Sequence, residues 1–308
     1  MKYIKRDIGG GLGAQIKVLA VLIPFAEKFD LQVVSDPRTF PYFKGPRAIR
    51  YLDNDKLDQL LEFHPRIIYN PEIIDSIKQH EIFDLGNWQT QTQVLKWLFC
   101  SSTALGGWKE MLHHTQRLSK PDEYPPYFTQ LPIRIKDRAL IEKYESRIRN
   151  SVAVHARLGN GEAESFLWRW KADQKPLAKT LARLKINPDK LIDEMKKHNE
   201  DFFVCSDTRS FVEKCKDTFG DRVFHTDRSW VPKGYGPGHK AVEITHLIGP
   251  KTALRVKNAQ DEKWDQWDNF YEAVTEMELL SKSKHLICNV SQFSIFARRH
   301  IPSTVLHP

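Results

Sequence analysis

The sequence predicts an α/β protein with two doubly wound domains that face each other across a cleft. Three observations support this fold class. Short apolar stretches alternate with amphipathic ones, the turns between them are rich in glycine and polar residues, and 308 residues are enough for two domains. We expect domains at 1–149 and 150–308, with ligands bound beyond the carboxyl ends of the strands.

The individual elements follow from the spacing of apolar residues, which differs between strands and helices. Asn187 is placed to cap a helix that begins with Pro188, since proline is tolerated in the first helical turn. Pro24 is expected to kink or interrupt the first long helix. In chain order we predict strand Tyr3-Ile4, helix 14–29, strand 31–34, helices around 89–115 and 133–149, strand 151–157, helix 188–199, strand 202–205, helix 208–218, strand 222–224, helix 268–282, strand 285–288, helix 292–299 and strand 304–306.

A glycine-rich stretch at 9–13 follows the first strand and contains Gly10, Gly11 and Gly13. It lacks the register of a dinucleotide fingerprint and the GK[ST] of a phosphate loop. We therefore interpret it as a glycine-rich turn that lets the backbone approach a bound substrate, and dinucleotide binding is the less favoured alternative.

Composition and charge restrict the class of protein. Hydrophobic residues make up 41% and charged residues 28%, as in soluble globular proteins, and no apolar run approaches the roughly 20 residues that span a bilayer. The N-terminal residues lack the apolar core of a signal peptide, and the four cysteines show no CxxC spacing. We therefore expect reduced thiols and a cytoplasmic location.

The net charge of +8 favours an anionic partner, which could be a phosphate-bearing small molecule, an anionic lipid or nucleic acid. No tract of five or six basic residues occurs, so nucleic-acid binding is not indicated. A basic solvated surface explains the charge equally well.

Three predicted strands of the second half end in polar residues that could form a site. The first ends in HARLGNGE (155–162), the second in Ser206-Asp207 and the third in NVSQ (289–292). Arginine binds phosphate in a bidentate manner, and backbone amides at a helix start bind anions. Each feature alone has an ordinary structural explanation: an ion pair, a helix cap or a tight turn.

Metal binding is not predicted. Asp53-Asn54-Asp55 has the DxD pattern that can hold a cation on a diphosphate, but it precedes an apolar helical pattern and is explained by helix capping. The adjacent His113-His114 cannot share a helix face. Several tryptophans in polar stretches could stack on sugar rings or lie in the core: Trp168, Trp170, Trp230, Trp264 and Trp267.

Several of these motifs, in this order, resemble the bacterial nodulation-factor α-1,6-fucosyltransferases and the related core α-1,6-fucosyltransferases. HARLGNGE (155–162) carries the resemblance most specifically. It is supported by RDIGGGLGAQIKVLAVLIPFAEKFDLQVVSD (6–36), FVCSDTRSF (203–211), GYGPGH (234–239) and EMELLSKSKHLICNVSQFSIFARR (276–299), so that it covers most of the chain.

The resemblance implies a GT-B-like pair of Rossmann-like domains, with the acceptor on the first and the nucleotide sugar on the second. It implies an inverting transferase that moves fucose from GDP-fucose to a glycan hydroxyl, such as O6 of N-acetylglucosamine, without a metal or cofactor. Carried over, Arg157 holds the diphosphate and Glu162 lies near the reaction centre as the first choice of base, followed by Asp207 and then Glu276. The other donor-site residues implied are His155, Gly159, Asn160, Ser206, His239, Ser291 and Gln292, with the glycine loop at Gly10, Gly11 and Gly13.

Three departures from the family pattern concern specificity. Leu158 stands where relatives carry a second basic residue, Glu276 stands where they tend to carry Asp, and residues 245–268 resemble an insertion. Two other functions stay open: a transferase of the same architecture that uses another nucleotide sugar, and a non-catalytic protein that binds an anionic polymer. Peripheral membrane association is the most that we expect, and the oligomeric state is not indicated.

Overall fold

The computed structural model describes residues 2–5, 12–37, 54–84, 131–158, 187–228, 230, 266–289, 291 and 293–306. Within these residues the chain forms two parallel sheets and a small antiparallel pair. The strands are β1 (Tyr3–Lys5), β2 (Gln32–Val34), β3 (Leu61–Phe63), β4 (Ile67–Ile68), β5 (Ile82–Asp84), β6 (Ile133–Ile135), β7 (Val152–Ala156), β8 (Phe202–Ser206), β9 (Val223–Phe224), β10 (His285–Asn289) and β11 (Ser303–Leu306). The helices are α1 (Leu12–Lys28), α2 (Asn54–Leu60), α3 (Pro71–Ser76), α4 (Arg138–Ile148), α5 (Pro188–Met195), α6 (Arg209–Phe219), α7 (Gln266–Leu280) and α8 (Ile295–His300).

The first sheet has the strand order β4-β2-β1-β5, and all its pairs are parallel. The strand that comes first along the chain is central, the next two extend to one side, and the last described strand lies on the other side. This is the doubly wound order of a Rossmann-like sheet.

Helix α1 begins earlier than the sequence indicates and continues through Pro24. Gly13 is therefore a buried residue of the first helical turn, and its placement in the glycine loop was wrong. Gly10 and Gly11 lie outside the described residues. Pro24 removes one backbone hydrogen bond from the helix. The residues on either side of it, Ile23, Phe25 and Ala26, are buried in the core, and this packing favours the continuous helix.

The predicted helix at 133–149 is two elements. Residues 133–135 form β6, which pairs antiparallel with β3, because Ile133 and Ile135 alternate with the exposed Arg134. The helix α4 begins only after Asp137, whose carboxylate accepts the backbone N–H of Leu140. Strand alternation and an N-cap thus override the apolar spacing that suggested one helix.

The second sheet has the strand order β11-β10-β7-β8-β9, again entirely parallel. Strand β7 is the first along the chain and lies in the middle, β8 and β9 extend to one side, and β10 and β11 lie on the other. The predicted α/β fold class with two Rossmann-like sheets is confirmed. In such a sheet the connections reverse direction between the first and fourth strands, which are here β7 and β10, and ligands bind at that switch point.

Helices cover both faces of this sheet. Val152, Val154 and Ala156 of β7 pack with α5 and α6, while Ala153 belongs to the core with α7 and α8. Because side chains alternate along a strand, His155 faces the α7 and α8 side. Asn187 caps α5 as predicted, with its Oδ1 accepting the N–H of Asp189 at 2.9 Å.

One apolar core joins the two sheets. It contains Ile4 and Val33 of the first sheet together with Leu286 of the second, and helices α1 and α8 lie in contact within it. Strand β6 and helix α4 precede residue 150 but pack on α7 of the second half. The domain division at residue 149 stays a prediction. Among the described helices, none has the length and apolarity to cross a membrane.

Candidate active site at the sheet switch point

Two strand ends meet at the switch point through a side chain. The buried Asn289, at the end of β10, accepts the backbone N–H of Arg157 on its Oδ1 at 2.9 Å. Its Nδ2 donates to the carbonyl oxygen of Arg157 at 2.7 Å. The two bonds reproduce what a neighbouring strand would supply, so that they extend the sheet by one residue beyond β7.

The other neighbour of β7 holds the same segment from the opposite side. Asp207, directly after β8, forms an ion pair with the guanidinium of Arg157. Its second carboxylate oxygen accepts the backbone N–H of Leu158 at 2.9 Å. The side chain of Arg157 is 31% exposed, so its guanidinium is paired with Asp207 and still reaches the surface. It does so at the switch point, where an open α/β sheet binds its ligand.

Ser206 and Thr208 complete the link between β8 and β7. The hydroxyl of Ser206 donates to the carbonyl oxygen of Ala156 at 2.8 Å and accepts the backbone N–H of Thr208 at 3.1 Å. Thr208 in turn donates its hydroxyl to Asp207 at 3.2 Å. Helix α6 begins one residue later, so these bonds fix the start of the helix relative to Arg157.

Glu276 lies in a buried network behind Ser206. Both its carboxylate oxygens accept from Arg228, at 3.1 and 3.0 Å, and one also accepts the hydroxyl of Thr226 at 3.0 Å. The same nitrogen of Arg228 donates to the carbonyl oxygen of Ser206 at 3.0 Å. The guanidinium also lies 4.8 Å from the ring centroid of Trp230, a cation–π distance. Glu276 is thus committed to an ion pair inside the fold.

His155 is buried and stacks on Phe293, with ring centroids 5.0 Å apart and planes inclined by 14°. Burial, assisted by the nearby charges of Arg157 and Arg298, lowers the pKa of His155 to about 3. The imidazole is therefore neutral at physiological pH. Among the described residues its Nδ1 has no hydrogen-bond partner.

The turn after β10 is held by Ser291 and Arg298. The hydroxyl of Ser291 accepts the backbone N–H of Phe293 at 3.1 Å, and its carbonyl oxygen accepts from the buried Arg298 at 3.1 Å. This turn presents Phe293 to His155, which connects the third motif to the first.

The structure brings together part of the predicted donor site. Arg157 and Asp207 are in direct contact, and Ser206 bonds to the residue before Arg157. Glu276 is connected to this group indirectly, because Arg228 donates both to Glu276 and to the carbonyl oxygen of Ser206. Gly159, Asn160, Glu162, His239 and Gln292 lie outside the described residues.

Sequence reasoning missed the function of Asn289, Arg228 and Arg298 in this cluster. Asn289 belongs to the third polar strand end, NVSQ (289–292). A polar residue at the end of an otherwise apolar strand could have indicated that its side chain makes a specific hydrogen bond. Arg228 gave no signal, because its carboxylate partner Glu276 is 48 residues away, and Arg298 lies in the motif 276–299 without a function having been assigned to it. Within the described ranges no group of three His, Cys, Asp or Glu residues could hold a metal ion.

Comparisons with known proteins gave structural matches only. No protein-family model and no curated protein matches the chain. The chain is similar in structure to a NodZ alpha-1,6-fucosyltransferase soaked with GDP-fucose, at 15% identity over 98% of this chain and 93% of that one, with a TM-score of 0.46. It is also similar to fucosyltransferase NodZ from Bradyrhizobium (17% identity, 98% and 92% covered, TM-score 0.43) and to POFUT1 in complex with GDP-fucose (14% identity, 99% and 97% covered, TM-score 0.46).

At these TM-scores the likeness decides neither the family nor the activity of this chain. The function is therefore inferred from the chain's own motifs and from the contacts at its switch point.

Proposed function

We propose that this protein is a glycosyltransferase that moves fucose from GDP-fucose to a hydroxyl of a glycan. The observation that carries the proposal is Arg157, a part-exposed guanidinium at the switch point of a Rossmann-like sheet, held by Asp207 and Asn289. The motif around it resembles the first motif of the α-1,6-fucosyltransferases. The geometry supports an anionic ligand, and the resemblance supplies the identity of that ligand as a guanosine diphosphate sugar.

The departing GDP gains negative charge as the sugar–phosphate bond breaks. A positive group that is already in place stabilises such charge without reorganisation during the reaction. Arg157 meets this requirement because bonds from both neighbouring strands fix its backbone and side chain. No metal is required in this mechanism, since the guanidinium and the amides at helix starts supply the stabilisation.

An acceptor hydroxyl attacks from the face opposite to GDP, which inverts the configuration at the sugar carbon. A carboxylate takes the proton of that hydroxyl, and Glu162 stays our first choice. Asp207 bonds to Arg157 and Leu158, which suits a residue that positions Arg157. Glu276 is buried against Arg228, which suits a structural carboxylate. We place the reaction in the cytoplasm, with a sugar such as N-acetylglucosamine presenting the acceptor hydroxyl.

The donor is the first point to test. Calorimetry with GDP, GDP-fucose, UDP and NAD, each with and without EDTA, should show selective GDP binding that EDTA leaves unchanged. Arg157→Ala should weaken GDP binding by roughly 10- to 100-fold, the range for loss of charged hydrogen bonds. Arg149→Ala is the matched control, because Arg149 is an exposed arginine that pairs with Glu145 and precedes β7, at the end of the strand away from the switch point.

The proposed base is tested on the same preparation. Glu162→Gln should keep its GDP affinity and lose about 10²- to 10⁴-fold in the transfer rate, as expected for removal of a general base. Selective UDP binding would favour the same-fold transferase with another nucleotide sugar. Equal GDP affinity in Arg157→Ala and Arg149→Ala would contradict the proposal.

A further inference from the structure

The side chain of Asn289 bonds to the backbone of Arg157 just beyond the point where the backbone pairing of β7 and β10 ends. The backbone register of β7 and β10 runs to Cys288 opposite His155, whereas β10 and β11 still pair at Asn289 opposite Leu306. At a switch point the chains leaving the two central strands turn in opposite directions, so their backbones separate. The Asn289 carboxamide bridges this separation to the backbone of Arg157.

A carboxamide is suited to this position because it carries both an acceptor and a donor. Oδ1 accepts the N–H of Arg157 while Nδ2 donates to the carbonyl oxygen of the same residue. A carboxylate could make only the first bond and a lysine only the second. Asn289 is 2% exposed, and its removal would take these two hydrogen bonds from the backbone of Arg157.

Both neighbours of β7 hold the segment that directly follows it. Asn289 from β10 fixes the peptide groups of Arg157, and Asp207 from β8 fixes its guanidinium and the N–H of Leu158. The direction in which the guanidinium leaves the sheet is set by its backbone, which Asn289 holds, while Asp207 sets its far end.

We infer that Asn289 is a positioning residue for donor binding, which acts through Arg157 by fixing its backbone at the switch point of the second sheet. The inference rests on the proposed function in one respect, namely that Arg157 binds the diphosphate of a nucleotide. The protection of the Arg157 amide from hydrogen exchange can be tested without a ligand.

The test compares four proteins with the wild type by GDP calorimetry: Asn289→Ala, Arg157→Ala, the double variant and Ser283→Ala. Ser283 is the matched control because it is also buried and bonds to backbone carbonyl oxygens, but at the opposite end of β10. Asn289→Ala should bind GDP about tenfold more weakly, as expected when two backbone hydrogen bonds are lost. Ser283→Ala should lower the melting temperature and leave GDP affinity within about twofold.

The double variant separates positioning from general loss of stability. If Asn289 acts through Arg157, the double variant should bind GDP no more weakly than Arg157→Ala alone, because coupled residues are not additive. Additive losses, or equal GDP affinity in Asn289→Ala and Ser283→Ala, would overturn the inference.

Hydrogen exchange of the free protein provides the ligand-independent measurement. The amide of Arg157 should exchange about tenfold faster in Asn289→Ala and remain protected in Ser283→Ala. Unchanged exchange at Arg157 would overturn the inference even where GDP binding fails. Absence of GDP binding by the wild type, with the expected change in exchange, would instead contradict the proposed function and leave the structural role of Asn289 supported.

Discussion

Glu276 shows how the surroundings of a single residue separate a structural function from a catalytic one. It was the third candidate for the base, and the structure places it at 4% exposure against Arg228 and Thr226. The side chain of Arg228 is itself only 9% exposed. Replacing Glu276 by glutamine removes a negative charge from beside the buried guanidinium of Arg228.

Glu276→Gln should therefore reduce the free energy of unfolding by about 3–5 kcal/mol, the range for breaking a buried ion pair. Glu278→Gln is the control, since Glu278 pairs with Arg134 and Arg138, which are 46% and 38% exposed and can be solvated. Denaturant titration should show the smaller loss for Glu278→Gln. A stable Glu276→Gln protein that binds GDP but transfers no fucose would instead identify Glu276 as the base.

Among the elements, helices α1 and α8 bring two cationic side chains together inside the core. Lys17 of α1 and Arg298 of α8 are both buried. Burial, with a contribution from the charge of Arg298, lowers the pKa of Lys17 to about 7. The contact between the two helices thus carries an electrostatic cost that depends on pH.

The sign of this dependence follows from proton binding. Between pH 7 and the ordinary lysine pKa of 10.5, the unfolded chain holds the Lys17 proton and the folded protein does not, so the contribution of Lys17 to the stability of the wild type becomes more favourable as pH rises. Lys17→Met removes this dependence. The stability difference between Lys17→Met and the wild type should change by roughly 1.4 kcal/mol per pH unit in favour of the wild type as pH rises.

Denaturant titrations of both proteins at two pH values within that range test the expectation. Lys28→Met serves as the control, because Lys28 is an exposed residue of the same helix. A stability difference for Lys17→Met that does not change with pH would show that Lys17 stays charged in the folded protein.

At the scale of the whole molecule, the two sheets share one core. Ile4 and Ile16 from the first part of the chain belong to the same apolar cluster as Phe270, Leu286 and Phe296 from the last part. Elements that share buried apolar surface lose it together when one of them unfolds. We therefore expect a single unfolding transition for both halves.

Calorimetric melting, with and without GDP, measures this coupling. GDP at 100 times its dissociation constant should stabilise the folded state by about 2.7 kcal/mol and shift the whole transition. Two transitions, of which GDP moves only one, would show that the sheets unfold independently.

The fold was largely predictable from the sequence because apolar spacing reports which face of each strand or helix is buried. The prediction failed where two signals competed. At 133–135 apolar alternation outweighed helical spacing, and at Gly13 the helix α1 began before the glycine stretch ended. The first difference is a missed strand of three residues, too short for its alternation to be distinguished from helical spacing, and the second is a helix boundary.

The sequence by itself determined the α/β class, the alternation of strands and helices, and the three polar strand ends that include Arg157 and Asp207. Only the tertiary structure decided that β7 and β10 flank the switch point, and that Asn289, 132 residues further along the chain, bonds to the backbone of Arg157. It also decided that Glu276 is buried against Arg228. The physical reason is that local spacing reports burial along one element, whereas strand order and side-chain pairing depend on which distant segments share buried surface and hydrogen bonds.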